Sequence, residues 1–274
     1  MKTRKEIKAL AREALRAQRD TSILLGFVYF LLVTAFMVVP SGLLALIVRA
    51  GRRSFALAGL PVYMLVHLAA AALLLVMAVG LYGAYLKVYR GEPVRVRVLF
   101  SALKVHFFRK LGGLLWMVLW IMLWGAIAYP ALFGGAALLG LGARAGAGVS
   151  VVLGFSLLFA SPLLLIPMII KALSYFATPF ILADCPDVGA REALRLSKRV
   201  TKGYVGKLFM LKLSFIGWAA LSCLTFGILG IVFVFPYLYL SLSGFYTELR
   251  DKAIIDGVIT REEIGLEPDD PSET

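Results

Sequence analysis

Residues 149–183 read VSVVLGFSLLFASPLLLIPMIIKALSYFATPFILA and contain a single charge, Lys171. As one helix this run would be about 52 Å long at ~1.5 Å per residue, against a bilayer hydrocarbon core of about 30 Å. A buried helix of a soluble domain has a shorter apolar run, and a surface helix carries a polar face. The run therefore predicts a transmembrane helix with length to spare. Either it breaks at Pro162 or Pro167, or its end projects and Lys171 marks the interface.

Five more stretches share this character. The six predicted spans are residues 22–48, 55–86, 111–139, 149–170, 208–225 and 231–246. Over the whole chain of 274 residues, 61% are apolar or aromatic and 16% charged, and the mean hydropathy is +0.88. Soluble domains run at roughly 45–50% and 25%. One core cannot hide that excess, so a soluble enzyme and a secreted disulfide scaffold are excluded. The first span follows a charged segment and outruns a signal-peptide core, so it reads as an uncleaved anchor.

Charge gives the orientation. Lys and Arg number seven before the first span, seven in 87–110, seven in 171–207 and three in the tail, against four in 49–53 and at Arg144. By the positive-inside rule both termini and the two basic loops are expected in the cytoplasm. None of the sixteen acids lies inside a predicted span, and nine follow Tyr246. A pI of 9.9 then points to anionic lipid at the inner leaflet rather than to nucleic acid, each basic residue near that surface contributing on the order of 1 kcal/mol. Cys185 and Cys223 fall toward opposite ends of their spans and are expected to be free thiols.

A basic segment precedes spans one, three and five. In the first, Thr3 and Glu6 form a capping box, and Ile7, Leu10, Ala11, Ala14 and Ala17 share a face. In the third, Pro186 and Asp187 suit a helix start, with Ala190, Ala193, Leu194 and Ser197 on one side and Gly203 at the end. Arg-Glu-Ala-Leu-Arg occurs in both, at 12–16 and 191–195. In the middle segment Val94, Val96 and Val98 alternate with Arg95 and Arg97, a strand-like or irregular start before a helical stretch over 102–108. The pattern suggests three units of basic helix plus hairpin, related by an axis along the membrane normal; three independent hairpins with basic collars fit equally well. The expected organisation is all-α: residues 1–20 a cytoplasmic interfacial helix, 21–247 a six-helix membrane domain, and 248–274 an acidic cytoplasmic tail. Residues 267–274 are expected to be disordered.

Three stretches carry a resemblance: LIPMIIKALSYFATPFILAD at 165–184, REALRLSKRVTKG at 191–203, and KLFMLKLSFIGWAALSCLTFGILGIVFVFPYLYLSLSGFY at 207–246. With the amino-terminal MKTRKEIKALAREALR, they resemble a bacterial six-span membrane family catalogued as domain of unknown function nine hundred and seventy-five. The likeness covers the first sixteen residues and about the last third. Where that family often carries Gly-x-Trp before span one, this chain has Ala17-Gln18-Arg19. The resemblance implies a bacterial inner-membrane protein and brings no catalytic residues.

Few groups offer chemistry. The two histidines, His67 in span two and His106 in a basic loop, make neither a metal site nor an acid–base pair, so no catalytic residue, metal or cofactor is expected. With no Asp or Glu in a span, ion-coupled transport is weakened. Lys212 lies five residues past Lys207, shallow enough to snorkel back to the headgroups. Lys171 is the candidate contact for an anionic headgroup or solute. Trp116, Trp120 and Trp124 recur every four residues and read as a core or lipid-facing stripe, or as the wall of a site for an acyl ligand. His67, Lys171, Lys212, Trp116, Trp120 and Trp124 are thus the candidate lipid or solute contacts. The expectation is a non-enzymatic inner-membrane protein serving envelope maintenance, scaffolding or assembly through anionic lipid or another membrane protein. A transporter or flippase for an amphipathic solute is the first alternative, and a membrane-bound lipid-modifying enzyme the second.

Overall fold

The computed structural model describes residues 1–49, 53–185 and 187–264. Every regular element among them is helical: α1 (Arg4–Ala17), α2 (Arg19–Arg49), α3 (Arg53–Tyr89), α4 (Val98–Lys104), α5 (Phe107–Gly125), α6 (Tyr129–Ala145), α7 (Gly148–Ser174), α8 (Thr178–Asp184), α9 (Ala190–Thr201), α10 (Val205–Leu213), α11 (Ile216–Leu224), a π turn at Gly230–Val234, α12 (Phe235–Ile255) and a 3-10 turn at Glu262–Ile264. Among the described residues, six helical segments are long and apolar enough to cross a membrane.

The segments pair as three hairpins: α2 with α3, α5 and α6 with α7 and α8, and α10 and α11 returning through the π turn into α12, joined by the Phe215–Tyr237 and Trp218–Phe233 ring contacts. The second leg of each hairpin runs to one centre. There Tyr82 meets Phe180 edge-on at 4.8 Å and Tyr239 at 5.3 Å, Tyr85 stacks on Tyr239 at 5.2 Å, and Phe180 stacks on Tyr246 at 5.0 Å. Rings in edge-on and offset geometry interlock the legs beyond what apolar area alone contributes. Each short amphipathic helix covers the second leg of the hairpin before it. α4 lies on α3, α9 on α8 and α5, and α1 on α12, which closes the ring.

Thr3 and Glu6 make the expected capping box at the start of α1. The apolar stripes of α1 and α9 are not left for lipid, however. Ile7, Ala11 and Leu15, and likewise Ala193, Leu196 and Val200, are buried against protein. Neighbouring helices cover those positions, while Leu10 and Ala14 are half-buried and Ala17 stays outside with the charged faces.

Three boundaries correct or settle the sequence reading. The third apolar stretch is two helices, with a turn at 126–128 and Pro130 in the first turn of α6, where its missing N–H costs nothing. α7 runs unbroken through Pro162 and Pro167 to Ser174. The Leu158 carbonyl that Pro162 cannot engage accepts from the Ser161 hydroxyl at 2.8 Å, so the helix survives. The break comes at 175–177 instead, and Pro179 opens α8. Finally, 91–97 is irregular, one of the two readings of that segment, and the helix expected over 102–108 is instead α4, Val98–Lys104, followed by a break before α5. Pro186 and residues 267–274 lie outside the described residues.

Candidate functional site

The basic end of the bundle is held by one carboxylate. Asp184, the last residue of α8, accepts both guanidinium nitrogens of Arg90 at 2.7 and 2.8 Å, Arg250 at 2.9 Å and the Tyr246 hydroxyl at 3.3 Å. Arg90 follows α3 and Arg250 lies in α12, so the node ties together the second legs of all three hairpins. Arg250 also holds Asp251 through a two-pronged contact. Cys185, next to the node, is buried, and that burial, with the Asp184 charge, pushes its thiol up to about 12. Cys223 is exposed, and both cysteines are free.

α1 is fixed to the third hairpin by its own cations. Lys2 pairs with Glu248 at 2.7 Å, and that partner raises its pKa. Lys8 donates to Ser214 Oγ at 3.0 Å, sits 4.3 Å from the centre of the Phe215 ring, and accepts the Tyr237 hydroxyl on its carbonyl at 3.4 Å. Burial, with Arg4 and Arg12 nearby, lowers the Lys8 pKa. Between the start of α1 and α10 a cleft of about 560 Å3 opens, with Ile7, Met210, Leu211 and Phe245 as its apolar lining and Lys2, Arg4 and Lys207 among the residues around it. Lys2 is neutralised by Glu248. Arg4, which donates to the Met210 carbonyl at 3.4 Å, and Lys207 remain as two exposed positive charges. Hydrocarbon beside two cations is the arrangement that an acyl chain with an anionic headgroup complements.

The residues singled out in the sequence do not form one site. Lys171 and Trp124 come together, the ammonium 4.7 Å from the ring centre, across the α5–α7 contact. Trp116 and Trp120 meet edge-on at 6.0 Å, and Arg191 of α9 covers Trp116 at 5.1 Å. The tryptophan stripe is thus half-buried, with a cation at each end. Lys212 lies 5.4 Å from the Phe176 ring instead. His67 stands apart on α3, stacked at 4.1 Å on Tyr63, with Nδ1 on the Tyr63 carbonyl at 3.1 Å and Nε2 buried without a partner. Among the described residues no three His, Cys, Asp or Glu side chains converge as a metal site.

Sequence reasoning missed the Asp184 node and the α1 cleft. The first had a signal: Arg90, Asp184 and Arg250 are charges that follow or close the second, fourth and sixth apolar stretches, and one of the three has the opposite sign. The cleft had none, because it needs α1 to fold back onto α10, more than two hundred positions away.

The family model described as "Protein of unknown function (DUF975)" matches residues 1–253, including the middle of the chain, which the sequence resemblance did not reach. No curated protein and no solved structure matches.

Proposed function

Since the chain belongs to that family, which has no activity to carry over, we propose from its own residues that it is a non-enzymatic protein of the bacterial inner membrane. Both termini and the basic end of the bundle face the cytoplasm, and that end retains anionic lipid in support of envelope maintenance, scaffolding or assembly. The observation that carries this reading is the cleft beside α1, where Ile7, Met210, Leu211 and Phe245 offer an apolar lining next to the exposed charges of Arg4 and Lys207. The imbalance of Lys and Arg between alternate loops supports the orientation.

The purified protein tests it by thermal unfolding in detergent with added lipid. Phosphatidylglycerol should raise the midpoint and phosphatidylcholine should not, since a ligand that binds only the folded state stabilises it by mass action. Arg4→Gln with Lys207→Gln removes about 2 kcal/mol of attraction, roughly thirtyfold in affinity, and should abolish most of the difference. Equal stabilisation by both lipids, or an unchanged response in the double variant, would count against the proposal.

A further inference from the structure

The three hairpins differ in reach beyond the ring of amphipathic helices. α4 meets α3 at Gly80, where an added Cβ would lie 2.6 Å from the Leu99 carbonyl oxygen. α9 meets the second hairpin at Ser174, whose carbonyl accepts from Ser197 at 3.0 Å and Thr201 at 2.9 Å. α1 meets the third hairpin at Ser214 and Tyr237. From these levels α3 extends back to Arg53 and α7 back to Gly148, roughly 40 Å each at ~1.5 Å per residue. The third hairpin, counted from Ser214 up to its turn at Phe226–Gly227, rises only about 18 Å. A hydrocarbon core is about 30 Å thick. Measured from that ring, the first two hairpins have length to cross it, at a tilt of up to about 40° or with helix to spare, and the third has length to reach only about its middle.

The far ends agree. Exposed apolar side chains on the tall hairpins continue almost to their tips, with Leu46 at 63% and Val149 at 76%. Those tips carry Arg49 and Arg53 in one hairpin and Arg144 in the other. The third tip carries no charge at all between Lys212 and Glu248, and Leu224, Phe226 and Ile228 stand 77%, 98% and 65% exposed. A turn in hydrocarbon must satisfy its backbone internally, and the N–H groups of this one are paired. The N–H groups of Thr225, Phe226, Gly227 and Ile228 donate to carbonyls of Ser222, Cys223, Ser222 and Thr225, and that of Leu229 to Thr225 Oγ1 at 3.2 Å. Phe226 at φ 50° and Gly227 at φ 83° make the reversal in two residues.

We propose that the third hairpin is re-entrant: it enters the leaflet that adjoins the basic ring, packs Leu224, Phe226 and Ile228 among acyl chains near the bilayer centre, and returns. Length and hydropathy qualify its two helices to span, but the level at which α1 grips them leaves too little helix to do so. Four crossings replace six, both termini stay on one side, and the inference does not depend on which lipid the ring retains.

The native Cys223 reports the depth without any substitution in the hairpin. It lies nine residues past Ser214, about 13 Å beyond the ring, and it is exposed, while Cys185 is buried. Wild-type protein carrying a nitroxide on Cys223, reconstituted in phosphatidylcholine–phosphatidylglycerol vesicles, is read for depth by collision with oxygen and a water-soluble nickel chelate. The reference is Ala145→Cys, beside the turn of the second hairpin, in a Cys223→Ser background. The Cys223 label should lie in the middle third of the bilayer, with the reference at the far headgroups. A Cys223 label within about 5 Å of the reference depth would mean a full crossing, and one at the headgroups of the near leaflet would mean no insertion; either overturns the inference.

Discussion

Replacing Asp184 by Asn probes the node that joins the hairpins. The carboxylate is 12% exposed and its two arginines 26% and 17%, so little water is at hand to replace what is lost. Removing one partner of a buried ion pair costs about 3–5 kcal/mol, because the remaining charge is left uncompensated. Here the site lies at one end of the bundle and Arg250 keeps Asp251, which places the expected loss near the lower bound, about 3 kcal/mol. Arg90→Gln leaves Asp184 paired with Arg250 and Tyr246, so its cost should be smaller, about 1.5–2 kcal/mol, the low end of the range for hydrogen bonds to a charged group. Equilibrium unfolding in mixed micelles, with dodecyl sulfate as denaturant and helicity as the signal, measures both. An Asp184→Asn loss below ~0.5 kcal/mol, typical of an exposed pair, would refute the reasoning. So would a greater loss from Arg90→Gln.

Other outcomes follow from the same contacts. The Lys171–Trp124 contact should contribute about 1 kcal/mol as a half-buried cation–π pair, so Lys171→Arg should preserve stability, and a double-mutant cycle of Lys171→Gln with Trp124→Leu should show that coupling; a coupling near zero contradicts it. Glu263 takes Arg199 at 2.7 Å and the Thr260 N–H at 3.0 Å, and these hold its pKa below the usual glutamate range. A depressed folded pKa contributes stability that is complete above the unfolded value and lost as pH falls through the folded one. Protection factors for amide exchange over Thr260–Ile264, taken relative to the intrinsic rate at each pH, should therefore fall in acid, and protection constant down to pH 3 would exclude the clamp. Reporter fusions after Arg144 and after Thr274 should report opposite compartments; the same compartment for both would overturn the orientation.

Much of the architecture is legible because it rests on local physics. The absence of acids from 22–246 apart from Glu92, Asp184, Asp187 and Glu192 delimits the apolar segments, and the Thr3–Glu6 box begins α1 where the pattern says. What the sequence leaves open depends mostly on partners distant in the chain, with one local exception: whether Pro162 breaks the helix is decided by the adjacent Ser161, which engages the Leu158 carbonyl. The stripe of α1 reads as lipid-facing until α12 covers Ile7 and Ala11. Lys171 and Trp124 were both marked as candidates, but forty-seven positions apart, nothing local says that they touch. Asp184 reads as one acid in a basic loop until Arg90 and Arg250 arrive from other hairpins.

The central claim, that the basic end retains anionic lipid, is tested most directly by native mass spectrometry of the wild-type protein released from nanodiscs of phosphatidylcholine with a minority of phosphatidylglycerol. The account predicts that the lipids still bound after release are enriched in phosphatidylglycerol over the bulk mixture, and that Arg4→Gln with Lys207→Gln removes the enrichment. Bound lipids that match the bulk composition would contradict it.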